Sequence, residues 1–275
     1  MKKSGYTQAD YDSAIALFER ALCLFGLVGG LGSRARRGWG SIALHALEGS
    51  GSETFTRPTT VEDYIVAVKK QLPKHAHDPL PPYTAVGRDS RVEVVVPDDG
   101  NALSVLDTMG KAMQRYRSWG HTKKHSDSGP LVNDQPSEKN FQDDHDWFRK
   151  NSDPRFRTPD FVPRRSIFGL PHNYGDGFGV APSQPGMDRR ASPLLLHVHP
   201  LAADWFIGVA LLLPARFLPG EQNGETLVTV KINQRNATRP YTVDWKVLNT
   251  LLDGYPQPDG KGRAPYFPNK RPVYP

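Results

Sequence analysis

Between Gly29 and Gly40 the chain reads Gly-Gly-Leu-Gly-Ser-Arg-Ala-Arg-Arg-Gly-Trp-Gly, with Gly29, Gly30, Gly32, Gly38 and Gly40 surrounding three arginines and a tryptophan. Glycine lets a backbone approach a ligand closely and leaves amide N–H groups open. Ser33 adds a hydroxyl, and Arg34, Arg36 and Arg37 carry planar forks suited to phosphate. Trp39 offers a face on which a base can stack. No acid occurs from Ala21 to Leu47. This is chemistry for holding a polyanion, and the competing reading is a flexible basic turn with Trp39 as a core anchor. The loop is not a familiar nucleotide cradle. No Gly-Lys-Ser/Thr follows it, and Gly30-x-Gly32 lacks the third glycine of the dinucleotide pattern.

Three other segments carry chemistry. In 164–192, Arg164, Arg165, Arg189 and Arg190 flank a stretch rich in Gly, Pro, Asn and His, with Asp176 and Asp188 as its acids. It reads equally as a structural loop or a ligand site. Residues 108–126 hold Lys111, Arg115, Arg117, Lys123 and Lys124 with Tyr116 and Trp119 and no acid, which suits a single-stranded backbone groove or, more simply, a solvated helix face. Asp143-Asp144-His145-Asp146 contains a His-Asp pair as in metal-dependent phosphohydrolases, and an acidic first turn of a short helix explains it more cheaply. His197 and His199 share one face of a strand and could join His172 on zinc, although histidines in a half-exposed strand are the simpler account. No Gly-x-Ser-x-Gly elbow, His-Glu-x-x-His or kinase signature is present, so catalysis is not supported and no cofactor or metal is implied.

These segments need a scaffold. The chain has 275 residues, formal net charge +6, 25 glycines and 25 prolines, enough apolar material for a core, and so predicts long loops around a modest set of elements. Amphipathic spacing predicts helices over 7–25, 60–72, 101–118 and 243–253. The first is capped by Thr7 and Asp10 and faces inward with Tyr11, Ala14, Ile15, Phe18, Leu22 and Phe25. Strands are expected over 41–47, 91–96, 193–199, 205–213 and 227–232, with 120–165 mostly irregular and a proline-rich tail from Gly254 without regular structure. The class is α+β. The single Cys23 permits neither a disulfide nor a cysteine zinc site, which suits a reducing cytoplasm. No leader pattern or membrane-length apolar run is visible, so no membrane partner is expected.

The run 29–40 resembles the signature loop of the RAMP superfamily of CRISPR proteins, and most of all the family of first subunits of type III-B Cmr effector complexes. Two further segments agree with that family: Arg165-Ser-Ile-Phe-Gly-Leu-Pro-His-Asn-Tyr174, and Arg189-Arg-Ala-Ser-Pro-Leu-Leu-Leu196. The resemblance implies ferredoxin-like (RRM-like) βαββαβ domains with the glycine loop between a second helix and a last strand. On that basis residues 1–55 are the C-terminal half of one such domain, its preceding βαββ half missing, and 56–275 are a second domain with insertions. It implies a non-catalytic RNA-binding subunit of an antiviral interference complex, with guide RNA, target RNA and other RAMP subunits as partners. The RNA contacts it implies are Gly29, Gly30, Gly32, Ser33, Arg34, Arg36, Arg37, Gly38, Trp39, Arg165, His172, Asn173, Arg189, Arg190 and Ser192. The alternatives are a RAMP-type endoribonuclease using His172 or His145, and a structural fragment whose arginines pair with acidic neighbours.

Overall fold

The computed structural model describes residues 5–49, 54–73, 80–117, 131–132, 135–136, 140–144, 161–175, 177–202, 204–232, 235–256 and 263–274. Its elements in chain order are α1 Gln8–Val28, β1 Ala46–Glu48, β2 Thr54–Thr56, α2 Val61–Gln71, β3 Arg91–Val95, α3 Ala102–Arg117, β4 Leu131–Val132 and β5 Gln135–Pro136. A 3₁₀ turn at Arg164–Phe168 follows, then β6 His172–Gly175, β7 Phe178–Pro182, β8 Leu194–Pro200, β9 Phe206–Leu212, β10 Glu225–Ile232 and β11 Arg235–Thr242. The chain closes with α4 Lys246–Asp253, β12 Tyr255–Pro256, β13 Arg263–Ala264 and β14 Lys270–Tyr274. Mixed helices and antiparallel sheets make this an α+β protein.

The main sheet is antiparallel in the order β14-β3-β9-β8. Taken along the chain, its parts run strand, helix, strand, strand, helix, strand: β3, α3, β8, β9, α4, β14. Alternation along the central strand β9 divides the core in two. Ile207, Val209 and Leu211 pack with Cys23 and Leu27 of α1 and Tyr64 and Val68 of α2. Ala210 and Leu212 belong to the opposite core, with Val105 and Met109 of α3 and Leu248 and Leu251 of α4. The two helices of that face are joined where the Tyr116 hydroxyl donates to Val247 O at 2.6 Å. A second antiparallel sheet, β11-β10-β7-β6, is built from the long segments between α3 and β8 and between β9 and α4.

Several expectations change. Helix α1 has its capping box at Thr7 and Asp10, but its buried residues are Glu19, Cys23, Gly26 and Leu27. Tyr11, Ala14, Ile15 and Phe18 are exposed and Leu22 is half-buried, because α2 and the sheet meet the other flank of the helix near its C-terminal end. The strand expected over 41–47 shrinks to Ala46–Glu48, since Ser41 and Ile42 are used to close the glycine loop: Ile42 N donates to Gly29 O at 3.2 Å. The tail is not irregular. β14 pairs with β3 at the sheet edge, where Pro272 sits opposite Glu93 beside a register shift, a place where a strand tolerates proline. Within 164–192 the expected loop contains the β6–β7 hairpin. Arg115, read as solvent-facing, lies half-buried with its guanidinium 5.0 Å from the Tyr255 ring.

Candidate nucleic-acid interface

The glycine loop is held shut by its own backbone. Leu31 N donates to Gly40 O at 2.9 Å, Gly29 N to Phe25 O at 2.7 Å, and tight turns run through Gly32–Ala35, Arg34–Arg37 and Ala35–Gly38. Gly40 has φ +82°, and a Cβ there would stand 2.1 Å from Leu31 O. Alanine at position 40 is therefore expected to destabilise the protein by about 1–3 kcal/mol through strain at positive φ and the clash. An unchanged urea midpoint for Gly40→Ala would show that the loop does not need this turn.

The closed loop is docked along β8, whose outer edge is otherwise open in the main sheet. Leu196 N donates to Arg36 O at 3.0 Å, Val198 N to Ser41 Oγ at 3.0 Å, and the Arg36 guanidinium to Ser192 O. His197 Nδ1–H donates to Gly29 O at 2.8 Å, which fixes its tautomer; His199 Nδ1–H in turn donates to His197 Nε2 at 3.3 Å. Gly38, buried at φ +82°, lets the loop abut Leu106 of α3, because a Cβ there would lie 2.7 Å from the leucine Cδ1.

This docking makes one open cleft of about 1410 Å³ from three sequence-distant walls. The loop supplies Gly30, Gly32, Ser33, Arg34, Arg36, Arg37 and Trp39. The segment around β6 supplies Arg165, His172 and Asn173, and the approach to β8 supplies Arg189, Arg190 and Ser192. Gly29 and Gly38 lie outside the lining and serve the loop's seating. The third wall is a stripe on α3: Leu103, Leu106, Asp107, Gly110, Lys111, Gln114 and Arg117. Asp107, the one acid among the described lining residues, is paired with Lys111 at 2.6 Å.

The arginines divide by role. Arg36 is tied to Ser192 O, and burial holds its pKa below the ordinary value. Arg190 donates to Phe217 O at 2.6 Å and Ala191 O at 3.0 Å and lies over the Phe217 ring. Arg165 is anchored by the fully buried Asp144, which accepts from Arg164 N and Arg165 N at 2.9 Å and from Arg165 Nε at 3.2 Å. Arg34, Arg37 and Arg189 are exposed at the cleft, and their side chains have no hydrogen-bonding partner among the described residues. Arg117 sits at the base, its guanidinium 4.5 Å from the Phe168 ring and its buried Nε unpartnered.

Positive charge is concentrated here against its own repulsion. Burial, then Arg37 and Arg165, brings Arg117 down to about 10. Burial, then Arg117 and Arg165, lowers His172 to about 3, so this histidine is neutral at physiological pH. A polyanion entering the cleft would relieve that repulsion at Arg37, Arg117 and Arg165.

The remaining candidates are placed as follows. Asp144 is a counter-ion for Arg165; His145, Asp146, Asp176, Trp119, Lys123 and Lys124 lie outside the described residues. His197 and His199 are buried, not half-exposed, at 1% and 0% exposure, and the His199 ring packs tilted against Tyr64 with centroids 4.6 Å apart. Among the described residues no three His, Cys, Asp or Glu side chains gather as a metal site, and no helix is long and apolar enough to cross a membrane. Sequence reasoning named Lys111 and Arg117 as alternatives to a plain wet face but missed Gly110 and Gln114. The signal for them was the stripe at steps of three and four residues along α3. The chain matches no family model, no curated protein and no solved structure.

Proposed function

We infer that the chain is a non-catalytic RNA-binding subunit of an RNA-guided interference complex of the type III-B Cmr kind, acting in antiviral defence in the cytoplasm with guide RNA, target RNA and other RAMP subunits. The observation that carries this reading is the convergence of the glycine loop, Arg165–Asn173 and Arg189–Ser192 on one basic cleft. These are the three segments on which the family resemblance rests, and they meet although nothing in their local sequence requires it. The strand order of the main sheet supports the same reading. Numbered along the chain it is fourth, first, third, second with both intervening helices in one core, as expected of a ferredoxin-like (RRM-like) RAMP domain.

The binding mechanism is backbone clamping by exposed guanidinium groups and loop amides, with base pairing elsewhere in the complex supplying sequence recognition. Arg34 and Arg37 are the residues to remove, because Arg36 is committed to Ser192 O and its loss would unseat the loop. Arg34→Ala with Arg37→Ala is expected to weaken single-stranded RNA binding by roughly ten- to a hundred-fold and to flatten the slope of log K against log salt by about 1.4, for two lost phosphate contacts. An unchanged slope in filter binding across a salt series would take the loop out of the interface. Co-purification with the other subunits of a guide-loaded Cmr complex tests the assembly. Burial and the neighbouring Arg117 and Arg165 hold His172 in its neutral form, which works against a general-acid role for it in the endoribonuclease reading; RNA cleavage by the wild-type protein would overturn the non-catalytic part of the proposal.

A further inference from the structure

Gly110 has no internal reason to be glycine. It lies in the middle of α3, where alanine would be more stable by roughly 0.5–1 kcal/mol. A Cβ there would meet nothing within 4 Å, so neither packing nor a positive φ demands its absence. The position is exposed and faces the cleft, midway along the stripe of α3 that forms the third wall.

The two ends of that stripe differ in chemistry. At the N-terminal end Leu103 is 67% exposed, Leu106 abuts Gly38, and Trp39 beside it is 52% exposed. At the C-terminal end stand Gln114 and Arg117, with Arg37 and Arg165 close by. From Leu103 to Arg117 the helix covers about 21 Å, a span for a run of nucleotides rather than a single one. An open indole face is useful to a base whose own face is free, which a base stacked inside a duplex does not offer.

We propose that the α3 wall of the cleft is the track of an unpaired RNA strand, with one base stacked on Trp39, the sugar-phosphate backbone passing against Gly110, and a phosphate seated at Arg117. This deepens the RNA-binding reading and rests on it. Gly110 is then a binding residue by virtue of what it lacks. The missing side chain lets the strand lie on the helix surface, while Lys111 and Gln114 flank it.

The test uses the full chain with a fluorescent single-stranded oligouridine and with the same strand annealed to oligoadenosine, at equal salt. The single strand is expected to bind at least about tenfold more tightly than the duplex, and Trp39→Ala to lose roughly five- to a hundred-fold of that affinity, the loss of one stacked base. Gly110→Leu is expected to raise the melting temperature, since leucine favours helix, and at the same time to weaken single-strand binding about tenfold by filling the track. Gly110→Ala moves both readouts the same way by less. Opposite movement of stability and affinity separates a blocked track from a damaged fold. Wild-type affinity in Gly110→Leu, or duplex bound as tightly as single strand, overturns the track. If Arg34→Ala with Arg37→Ala still loses affinity in that event, the RNA-binding cleft stands without it. If that double variant binds normally as well, both readings fall.

Discussion

Replacing Asp144 with alanine is expected to cost the fold roughly 3–5 kcal/mol, the penalty for removing one partner from a buried charge pair. The carboxylate is fully buried and receives Arg164 N, Arg165 N and Arg165 Nε. Without it, two backbone amides lose their acceptor and Arg165 is left uncompensated near Arg117, already crowded by like charge. Asp144→Asn keeps the size but not the charge, and one of its two acceptor positions becomes a donor, so it should recover less than half of the loss. Urea denaturation of the three proteins decides this. A midpoint for Asp144→Ala corresponding to less than about 1 kcal/mol of destabilisation, the range of a surface ion pair, would mean that Asp144 is not the counter-ion of the cleft.

The second large effect is acid destabilisation through the buried histidine pair. Burial depresses His197 to about 4, with its bond to Gly29 acting in the opposite sense, and burial with the neighbouring His197 and Arg57 depresses His199 to about 3. Both are therefore neutral in the folded protein at pH 7, whereas in the unfolded chain they protonate near the ordinary histidine value of about 6.5. Stability from this pair is complete above about 6.5. It declines as pH falls below that value and is fully lost once the folded-state values are passed. Each histidine contributes a slope that approaches about 1.4 kcal/mol per pH unit below about pH 6, so from pH 6.5 to 5 the pair costs roughly 3 kcal/mol. Urea midpoints measured between pH 5 and 8 should trace that decline, and His199→Phe, which keeps a ring against Tyr64, should halve its slope. A wild-type profile flat from pH 6.5 to 5 would be incompatible with two neutral buried imidazoles.

Local chemistry made some of this legible in the sequence. Thr7 and Asp10 announce the start of α1, and the Gly/Arg/Trp composition of 29–40 announces a basic loop of tight turns. The face of α1 was not legible, because Tyr11, Ile15 and Phe18 form an apolar stripe of ordinary appearance and only the placement of α2 and β8 shows which flank is covered. β14 was missed because prolines argue against a strand unless it lies at an edge. β11 was missed because Arg235 to Thr242 is polar, with only Tyr241 buried in an otherwise solvent-facing edge strand. At the cleft, Lys111, Gln114 and Arg117 resemble any wet helix face. Their meaning comes from the glycine loop seated on β8 opposite them, and a contact between Arg36 and Ser192 is invisible to any pattern that reads neighbours.

That seat also sets a schedule for synthesis. Arg36 and Ser192 are 156 residues apart, and at about 5–20 residues per second the ribosome releases the loop on the order of 10 s before the strand that receives it. During that interval the three arginines travel as an unseated basic segment on a nascent chain, beside the ribosome's own RNA. The main sheet is complete only when Lys270–Tyr274 has been made and pairs with β3. The seat of the loop is thus a late feature of folding, made only after β8 has left the ribosome.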